Sequence, residues 1–397
     1  MISFLQNAFY FILLISVVVF IHEYGHYYYA KKYKVTVTDF SIGFGKELFG
    51  WFDKDGTRWK VCLIPLGGYV KFFGDSNSAS KPIKLNEFNS DDHSKLLTTK
   101  PLYQRAIIVA AGPMANFVLA IFIFSLIFMI SGKDSSIPVI QEVQKESPAA
   151  IAGLKAGDQI SFINNSKIES IGDVSALINT PGNNVVRITV KRNSQLLDFD
   201  IKPNITEGAD SLGNKSQRKI IGIKITPLNN KMDRERLGPA KAIYYAFKET
   251  YRTVTMTLSY MGKVIIGSAS PDQLGGPIKI AQITGQVAER GFMPFLSIMA
   301  YISISLGLIN LFPIPLLDGG HLLFYLIEFI RGKPLSERIQ EYFYRFGFFV
   351  LFSLMFFATF NDLKGIGLFL QKSIKSVIYL TIFQVNTTYC AYKLLKH

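Results

Sequence analysis

Residues 22–26 read His-Glu-Tyr-Gly-His, and they follow a run of 21 residues without a charged side chain. On an α-helix, two histidines four residues apart lie one turn above each other on one face, so both imidazoles can bind one metal ion. The carboxylate of Glu23 lies beside the first of them, where it can accept a proton from a metal-bound water. The spacing therefore predicts a zinc site with His22 and His26 as ligands and Glu23 as the catalytic base.

The apolar run before this motif is long enough to cross a membrane, and residues 4–30 are expected to form the first transmembrane helix. Ionisable groups at that depth are costly and usually functional; the alternative is a pair of interfacial histidines at the end of an apolar helix. A cleaved signal peptide is not expected, because a basic start and a small-residue cleavage site are both missing. Lys31, Lys32 and Lys34 follow at once, which places this end of the helix at the cytoplasmic face and the N-terminus outside.

The composition is that of an integral membrane protein with a soluble part of about one domain. Hydrophobic residues make up 49% of the chain and the mean hydropathy is +0.25. The net charge is +14, but 13 of the 43 basic residues lie between residues 31 and 105, directly after the first apolar run. A positive-inside bias explains that cluster, and we expect no nucleic-acid partner. Cys62 and Cys390 are too far apart in sequence to suggest a disulfide framework.

Two further uncharged runs are long enough to span a membrane. Residues 106–131 are predicted to form the second transmembrane helix, and their small residues around Pro113, with the polar Asn116, are expected to pack on the first helix. Residues 291–317 form the next run, and residues 310–321 at its end read Asn-Leu-Phe-Pro-Ile-Pro-Leu-Leu-Asp-Gly-Gly-His. Two prolines and two glycines cannot continue a regular helix at membrane depth, so the backbone is expected to unwind there.

Asp318 is the carboxylate of this broken segment, and it needs a partner at such depth. As a third, oxygen ligand for a site with two histidines, it would leave the fourth position open for water. The alternative is that Asp318 only caps a helix that starts after it. His321 lies three residues later, on the same face of such a helix, and competes with Asp318 for the metal.

Residues 35–73 are rich in β-branched, aromatic and glycine residues, which predicts short strands and hairpins. Gly43 and Gly45 lie in an apolar stretch that is either a loop dipping toward the membrane or an ordinary turn. Residues 75–100 are polar and predict a mobile cytosolic loop.

A soluble β-rich domain is predicted at residues 137–228. Its turns, strands and one short helix resemble a PDZ domain of the bacterial protease type, and the run Gly-Leu-Lys-Ala-Gly-Asp at residues 153–158 is the most specific feature. PDZ domains bind extended chains at a sheet edge, and Ile221, Gly222 and Ile223 are the expected edge. The second transmembrane helix places this domain outside the cytoplasm.

Residues 238–267 carry apolar and aromatic side chains at helical spacing, with basic residues between them. This pattern predicts an amphipathic helix on the membrane surface, and a solvated helix covering the soluble domain is the alternative. A fourth transmembrane helix is expected at residues 342–370. Residues 371–397 form an extension that is open to three interpretations: an interfacial segment, a fifth span or a non-native addition.

Together these motifs resemble the site-2 protease family of intramembrane zinc metalloproteases, in particular the bacterial regulator of sigma-E protease type with a PDZ domain. The resemblance extends over residues 1–362 and includes the order of the elements. It is carried by the His-Glu-x-x-His motif and by the segments at residues 40–45, 64–71, 111–117 and 310–321. The chain has one PDZ-like unit, whereas the best-known member of this type has two in tandem.

The resemblance implies one catalytic zinc ion held by His22, His26 and Asp318, with Glu23 as the catalytic base. It also implies that Asn310 helps to hold the substrate, and we add Gly43, Gly45 and the edge residues Ile221, Gly222 and Ile223 as substrate-binding candidates. The family cleaves single-span membrane proteins, often anti-sigma factors that another protease has already shortened.

We therefore expect a polytopic α-helical membrane protein with about four transmembrane helices, a membrane-associated β-hairpin region and an inserted PDZ-like domain. Its expected place is the bacterial inner membrane, with the N-terminus and the PDZ-like domain outside and the active site near the cytoplasmic face. The expected partners are a single-span membrane protein such as an anti-sigma factor, an extended peptide at the PDZ-like domain, and membrane lipid. Two other classes stay open: a receptor or scaffold whose metal is structural, and a metal or ion transporter. The predicted segments are transmembrane helix 1 at 1–34, the β region and loop at 35–104, transmembrane helix 2 at 105–132, the PDZ-like domain at 137–228, the amphipathic helix at 238–267, transmembrane helix 3 with its broken segment at 291–330, transmembrane helix 4 at 342–370 and the extension at 371–397.

Overall fold

A computed structural model describes residues 2–74, 90–179, 184–209, 215–228, 231–267 and 275–363. The chain divides into two units. The first contains Met1–Lys133, Glu235–Met261 and Ile280–Leu354, and the second contains Asp134–Arg234, Gly262–Lys279 and the residues from Met355 on. The predicted extension at residues 371–397 lies outside the described residues, as do residues 75–89 of the predicted cytosolic loop; Ser90–Lys95 form a short 3-10 helix.

Helices make up most of the first unit, and the two short helices at Pro148–Ala152 and Ile171–Ile178 belong to the second. In chain order the helices are α1 (Ile2–Lys32), α2 (Leu102–Ile130), α3 (Pro148–Ala152), α4 (Ile171–Ile178), α5 (Pro239–Ile265), α6 (Pro277–Ala288), α7 (Phe292–Asn310), α8 (Asp318–Arg331) and α9 (Glu337–Leu363). Within the described part of the chain, α1, α2, α7 and α9 are long and apolar enough to cross a membrane. The expectation of about four long apolar helices is therefore confirmed. The sequence did not predict α6, whose 12 residues contain no long apolar run.

Strands form a hairpin region after α1 and most of the second unit. They are β1 (Val37–Phe52), β2 (Arg58–Phe72), β3 (Lys133–Asp134), β4 (Pro138–Val143), β5 (Gln159–Ile163), β6 (Ser166–Lys167), β7 (Val186–Arg192), β8 (Gln195–Ile201), β9 (Asn204–Ala209), β10 (Lys215–Ile220), β11 (Ile223–Pro227) and β12 (Arg234–Glu235).

β1 and β2 are two long, bent strands rather than the short strands that the sequence suggested. Residues 39–42 pair with residues 68–71 on one side and with residues 58–61 on the other, so the bent pair makes a wider sheet than a simple hairpin. Gly43 and Gly45 have φ angles of +88° and +87°, in the left-handed region, and the pairing register shifts around them. Glycine adopts this conformation without steric cost, which explains its place at the bend.

The turn between β1 and β2 is organised by the carboxylate of Asp53. It accepts hydrogen bonds from the backbone N–H groups of Asp55 and Thr57 at 2.9 and 2.8 Å, from the hydroxyl of Tyr27 at 2.7 Å and from Nε1 of Trp59 at 3.1 Å. Burial raises the pKa of Asp53, but these hydrogen bonds outweigh burial and lower the pKa to about 2. Because Tyr27 lies on α1, the carboxylate ties the hairpin to that helix.

The helices α1, α2 and α7 pack around one core and approach each other closely at glycines. A Cβ on Gly25 would lie 2.3 Å from the backbone oxygen of Ala111, and a Cβ on Gly307 would lie 2.9 Å from that of Pro113. Lipid tails are as apolar as leucine, so helices in a membrane associate through such close contacts rather than through the hydrophobic effect. The most buried side chains of this core include Leu14, Val18, Ala120, Ile304 and Ala300.

The second unit contains a sheet with the strand order β11-β4-β5-β7-β8, and β6 pairs with β5. β11 is at one end of this order, and α4 contacts it. The buried carboxylate of Asp158 receives hydrogen bonds from the Arg192 guanidinium and, at 2.8 Å, from the backbone N–H of Lys155. Burial raises the pKa of Asp158, but its bonds to Arg192 and Lys155 hold the pKa below its ordinary value.

Candidate metal centre and active site

His22 and His26 lie on the same face of α1, one turn apart, as the four-residue spacing requires. Both side chains are buried, and their ring centroids are 4.9 Å apart. Their Nε2 atoms are 3.3 Å apart. The Nε2 atoms of two side chains on the same helix therefore face one point.

The third side chain reaches that point through the turn between α7 and α8. α7 ends at Asn310 and α8 begins at Asp318. Pro313 and Pro315 lie between them and have no backbone N–H to continue a helix. Leu316 has a φ of +86°, a left-handed conformation that only a tightly packed turn imposes on leucine. The predicted unwinding of the backbone is thus found, and Asp318 stands at the very start of the next helix.

Gly319 and Gly320 allow the turn to fold back against α8. A Cβ on Gly319 would lie 2.2 Å from the backbone oxygen of Phe312, and a Cβ on Gly320 would lie 2.5 Å from that of Ile314. Both distances are shorter than any real contact of a Cβ atom. The path of the chain therefore requires both glycines that follow Asp318.

The spacing of the three side chains fits a tetrahedral zinc ion. Oδ2 of Asp318 lies 3.2 Å from Nε2 of His22 and 3.5 Å from Nε2 of His26, so the three atoms form a nearly equilateral triangle. Two atoms bound at roughly 2.0–2.1 Å to a tetrahedral ion are about 3.3 Å apart. Oδ2 of Asp318 is buried and has no aligned hydrogen bond. Among the described residues, these three are the one group of His, Cys, Asp or Glu whose ligand atoms all lie within 4.8 Å of one another.

Groups on α2 orient both imidazole rings from behind. Nδ1 of His26 donates to the backbone oxygen of Ile108 at 2.9 Å, and the side-chain amide of Asn116 lies 3.1 Å from Nδ1 of His22. α2 approaches so closely that a Cβ on Gly112 would lie 2.2 Å from Nε2 of His26. A metal-binding histidine usually has such a partner on its other nitrogen, since the partner fixes the ring and its tautomer.

Glu23 follows the first histidine on α1 and lies beside the three side chains of the triangle without belonging to it. Its carboxylate interacts electrostatically with both histidines and with Asp318, and it accepts a hydrogen bond from the backbone of Val70 in β2. A Cβ on Gly68 would lie 3.0 Å from Cγ of Glu23. The strand therefore passes directly beside this carboxylate, and the glycine makes the close passage possible.

The remaining predicted residues lie on three other elements. Nδ2 of Asn310, the last residue of α7, is 3.5 Å from Nε2 of His22. Gly43 and Gly45 lie at the bend of β1. Ile221, Gly222 and Ile223 belong to the second unit, where they lead into β11.

The ring of His321 does not join the triangle. It packs against two aromatic rings, with centroid distances of 6.4 Å to Phe324 and 6.0 Å to Tyr344. Of the two side chains that competed for the third position in the sequence, Asp318 is the one whose oxygen lies within reach of both histidines.

Sequence reasoning did not assign a role at this site to Ile108, Gly112, Asn116 or Val70. Ile108 acts through its backbone oxygen, which no side-chain pattern reveals. Gly112 did belong to the small-residue run around Pro113, so a signal for close helix packing was present, but its contact with the ring of His26 was not foreseen.

Comparisons with known proteins agree with this geometry. The family model of peptidase family M50 matches residues 10–354. A protein of Agrobacterium fabrum named as a putative zinc metalloprotease is 42% identical over 358 residues, which are 90% of this chain and 95% of that protein. A protein of Caulobacter vibrioides named metalloprotease MmpA is 34% identical over 393 residues, with 93% of this chain and 98% of that protein covered.

A solved structure of the PDZ domain of an SdrC-like protein from Listeria monocytogenes is 26% identical, covers 23% of this chain and 90% of that domain, and has a TM-score of 0.18. The family match and the relatives extend over nearly the whole chain. The chain therefore belongs to peptidase family M50, the site-2 protease family, and is a metalloprotease with the long apolar helices of an integral membrane protein.

Proposed function

We propose that the protein is an intramembrane endopeptidase with one catalytic zinc ion, held by His22, His26 and Asp318, and with Glu23 as its base. The observation that carries the proposal is the triangle of ligand atoms with sides of 3.2, 3.3 and 3.5 Å, which matches a tetrahedral ion. Three protein ligands leave the fourth position open, as catalytic rather than structural zinc sites do.

Zinc held by His22, His26 and Asp318 would supply a Lewis acid that polarises the carbonyl of the peptide bond and makes water easier to deprotonate. Glu23 would accept a proton from the attacking water as its oxygen bonds to the carbonyl carbon. The carboxylate then delivers the proton to the peptide nitrogen, so the C–N bond breaks and a neutral amine leaves. The hydrogen bond from the backbone of Val70 holds the Glu23 carboxylate in place during both transfers.

The substrate must be unwound before it is cut, because a helix hides its peptide bonds in its own hydrogen bonds. The sheet of β1 and β2 passes beside Glu23, and a strand edge binds an extended chain through backbone hydrogen bonds. Asn310, next to His22, supplies an amide that can bond to the substrate backbone. We assign Gly43 and Gly45 to the same task, since they bend β1 without side chains in the way.

The substrates we propose are single-span membrane proteins such as an anti-sigma factor, cut in regulated intramembrane proteolysis. Lys31 and Lys32, in the last turn of α1, support a location of this helix end at the cytoplasmic face of the bacterial inner membrane. The N-terminus and the PDZ-like domain at residues 137–228 are then extracytoplasmic. In that domain, the end position of β11 supports peptide binding by Ile221, Gly222 and Ile223 in the manner of a PDZ domain.

We also propose that α5 rests on the membrane surface. One face of this helix is buried through Ala242 and Ala246, while Tyr244, Phe247 and Tyr251 on the other are more than half exposed. Aromatic side chains with polar ends are typical of the lipid headgroup region.

The test is cleavage of a single-span peptide by the full-length protein in lipid vesicles, with zinc measured on the same samples. Glu23→Gln is expected to retain about one zinc ion per chain and to lose cleavage, because the glutamine cannot accept a proton. Asp318→Asn should lose zinc and cleavage together, whereas His321→Ala should keep its zinc. Cleavage by Glu23→Gln, or loss of zinc from His321→Ala but not from Asp318→Asn, would contradict the assignment.

A further inference from the structure

We propose that Asn116 is a positioning residue that holds His22 in the tautomer whose Nε2 lone pair faces the metal. The inference rests on the ligand set proposed above. The side chain of Asn116 is fully buried on α2, and its amide lies 3.1 Å from Nδ1 of His22. Close packing of α2 on α1 requires only a small residue here, so packing alone does not explain a polar amide at this depth.

The neighbouring ligand shows what such a partner must do. Nδ1 of His26 faces the backbone oxygen of Ile108, and a carbonyl oxygen can only accept. Nδ1 of His26 therefore carries the proton, and Nε2 keeps the lone pair that a metal needs. His22 points its Nε2 at the same place, so its Nδ1 must also carry the proton and must face an acceptor.

The acceptor on Asn116 is its carbonyl oxygen, Oδ1. In this structure the amide nitrogen faces His22, while Oδ1 is buried without a hydrogen-bond partner. The two ends of an amide have nearly the same shape, and their assignment follows from the hydrogen bonds they make. An amide nitrogen facing Nδ1 would force the proton onto Nε2 and block the metal. We therefore assign the rotated amide, in which Oδ1 accepts from Nδ1–H of His22.

Contacts with α7 hold Asn116 in place from the other side. The hydroxyl of Ser303 donates to the backbone oxygen of Asn116 at 2.9 Å. A Cβ on Gly307 would lie 3.2 Å from Cβ of Asn116, so α7 leaves the side chain little room to move away from His22. The same helix ends at Asn310 beside the site. Asn116 thus transmits the position of α7 to a metal ligand on α1.

The experiment measures the zinc dissociation constant of the full-length protein in detergent by competition with a chromophoric chelator. Asn116→Leu has a similar volume and no acceptor, and it should bind zinc roughly 10- to 100-fold more weakly. Asn116→Asp keeps an acceptor oxygen facing Nδ1 and removes the amide donors, so its affinity should stay within about threefold of wild type. Ser125→Ala is the control for loss of a buried polar group on α2, because the Ser125 hydroxyl donates to the backbone oxygen of Ile121; it should also stay within about threefold.

Equal weakening by Asn116→Asp and Asn116→Leu would overturn the assignment, because it would show that the amide N–H groups matter. Wild-type affinity in Asn116→Leu would overturn it as well. If Asn116→Leu does not fold, the visible spectrum of the cobalt-loaded Asn116→Asp protein decides: a wild-type spectrum supports the acceptor role, and a changed spectrum with weak binding refutes it. His22→Ala tests the ligand set separately, since wild-type zinc affinity in that variant would refute the set itself.

Discussion

Gly112 on α2 lies against Nε2 of His26, so Gly112→Ala is predicted to weaken zinc binding strongly without removing any of the three proposed ligands. The added Cβ would lie 2.2 Å from Nε2, whereas real Cβ atoms essentially never come within 3.0 Å of such an atom. Ring and helix must therefore separate by about 0.8 Å. Zinc ligands tolerate errors of only about 0.2 Å in distance.

The ring has no easy way to retreat, because the same helix holds its other nitrogen. Nδ1 of His26 is bonded to the oxygen of Ile108, one turn before Gly112 on α2. A shift that clears the new methyl group must also strain or break this bond. We expect zinc affinity to fall at least about 100-fold, which corresponds to roughly 2.8 kcal/mol. The overpacked crossing should cost a further 1 to 3 kcal/mol, approximately, in folding stability.

Zinc content, zinc affinity by chelator competition and cleavage of a single-span peptide are measured on the purified variant. Gly262→Ala is the matched control: Gly262 lies in α5, and a Cβ added there would have no atom within 4 Å. It should keep zinc and activity and gain about 0.5–1 kcal/mol of helix stability. Wild-type zinc affinity in a folded Gly112→Ala protein would refute the reasoning, because it would mean that the ring and α2 separate without cost.

Two further variants test the surroundings of the site and the second unit. Gly68→Ala places a Cβ 2.7 Å from the backbone oxygen of Ser41 and 3.0 Å from Cγ of Glu23. We therefore expect kcat to fall at least about tenfold while zinc affinity stays within about threefold. Equal loss of kcat and zinc affinity would instead show that the whole site had lost its structure. Asp158→Asn removes the charge that pairs with Arg192, and hydrogen exchange of residues 134–234 at pH 7 should report a loss of about 2–4 kcal/mol. Because the pKa of Asp158 is lower in the folded than in the unfolded protein, the ion pair stabilises the fold fully above the unfolded pKa of about 3.9, and this stabilisation is lost as the pH falls below that value. A difference in unfolding free energy between variant and wild type that is undiminished at pH 2 would contradict this account.

The helical part of the fold was predictable because its signal is local. A long uncharged run suffices to identify α1, α2 and α7. The sequence did not predict α6, because an amphipathic helix of 12 residues without a long apolar run is hard to distinguish from a loop. The double pairing of residues 39–42 escaped for a different reason: strand pairing depends on where the chain bends, and a glycine permits a bend without specifying its direction.

The sequence could predict those parts of the candidate site that are formed by side chains. His22, Glu23 and His26 follow from one motif, and Asp318 follows from a costly carboxylate in a segment that cannot be helical. That these residues form a catalytic zinc site remains a prediction, which the zinc measurements test. The backbone oxygen of Ile108 was not predictable, since every residue has a carbonyl group and only tertiary structure shows which one faces a histidine.

The position of Asp318 also depends on α9, which carries none of the three proposed ligands. On α9, a Cβ at Gly347 would lie 2.2 Å from the backbone oxygen of Pro315, so α9 presses directly on the turn between α7 and α8. Gly319 and Gly320 are pressed against the same turn from inside. The turn therefore lies between α9, which contacts it at Gly347, and the start of α8, which contacts it at Gly319 and Gly320. Neither helix leaves space for the turn to change its conformation. Leu316 adopts a positive φ within this turn, which is the conformational cost of the close packing. As a result, Oδ2 of Asp318 is fixed 3.2 and 3.5 Å from Nε2 of His22 and Nε2 of His26 on α1.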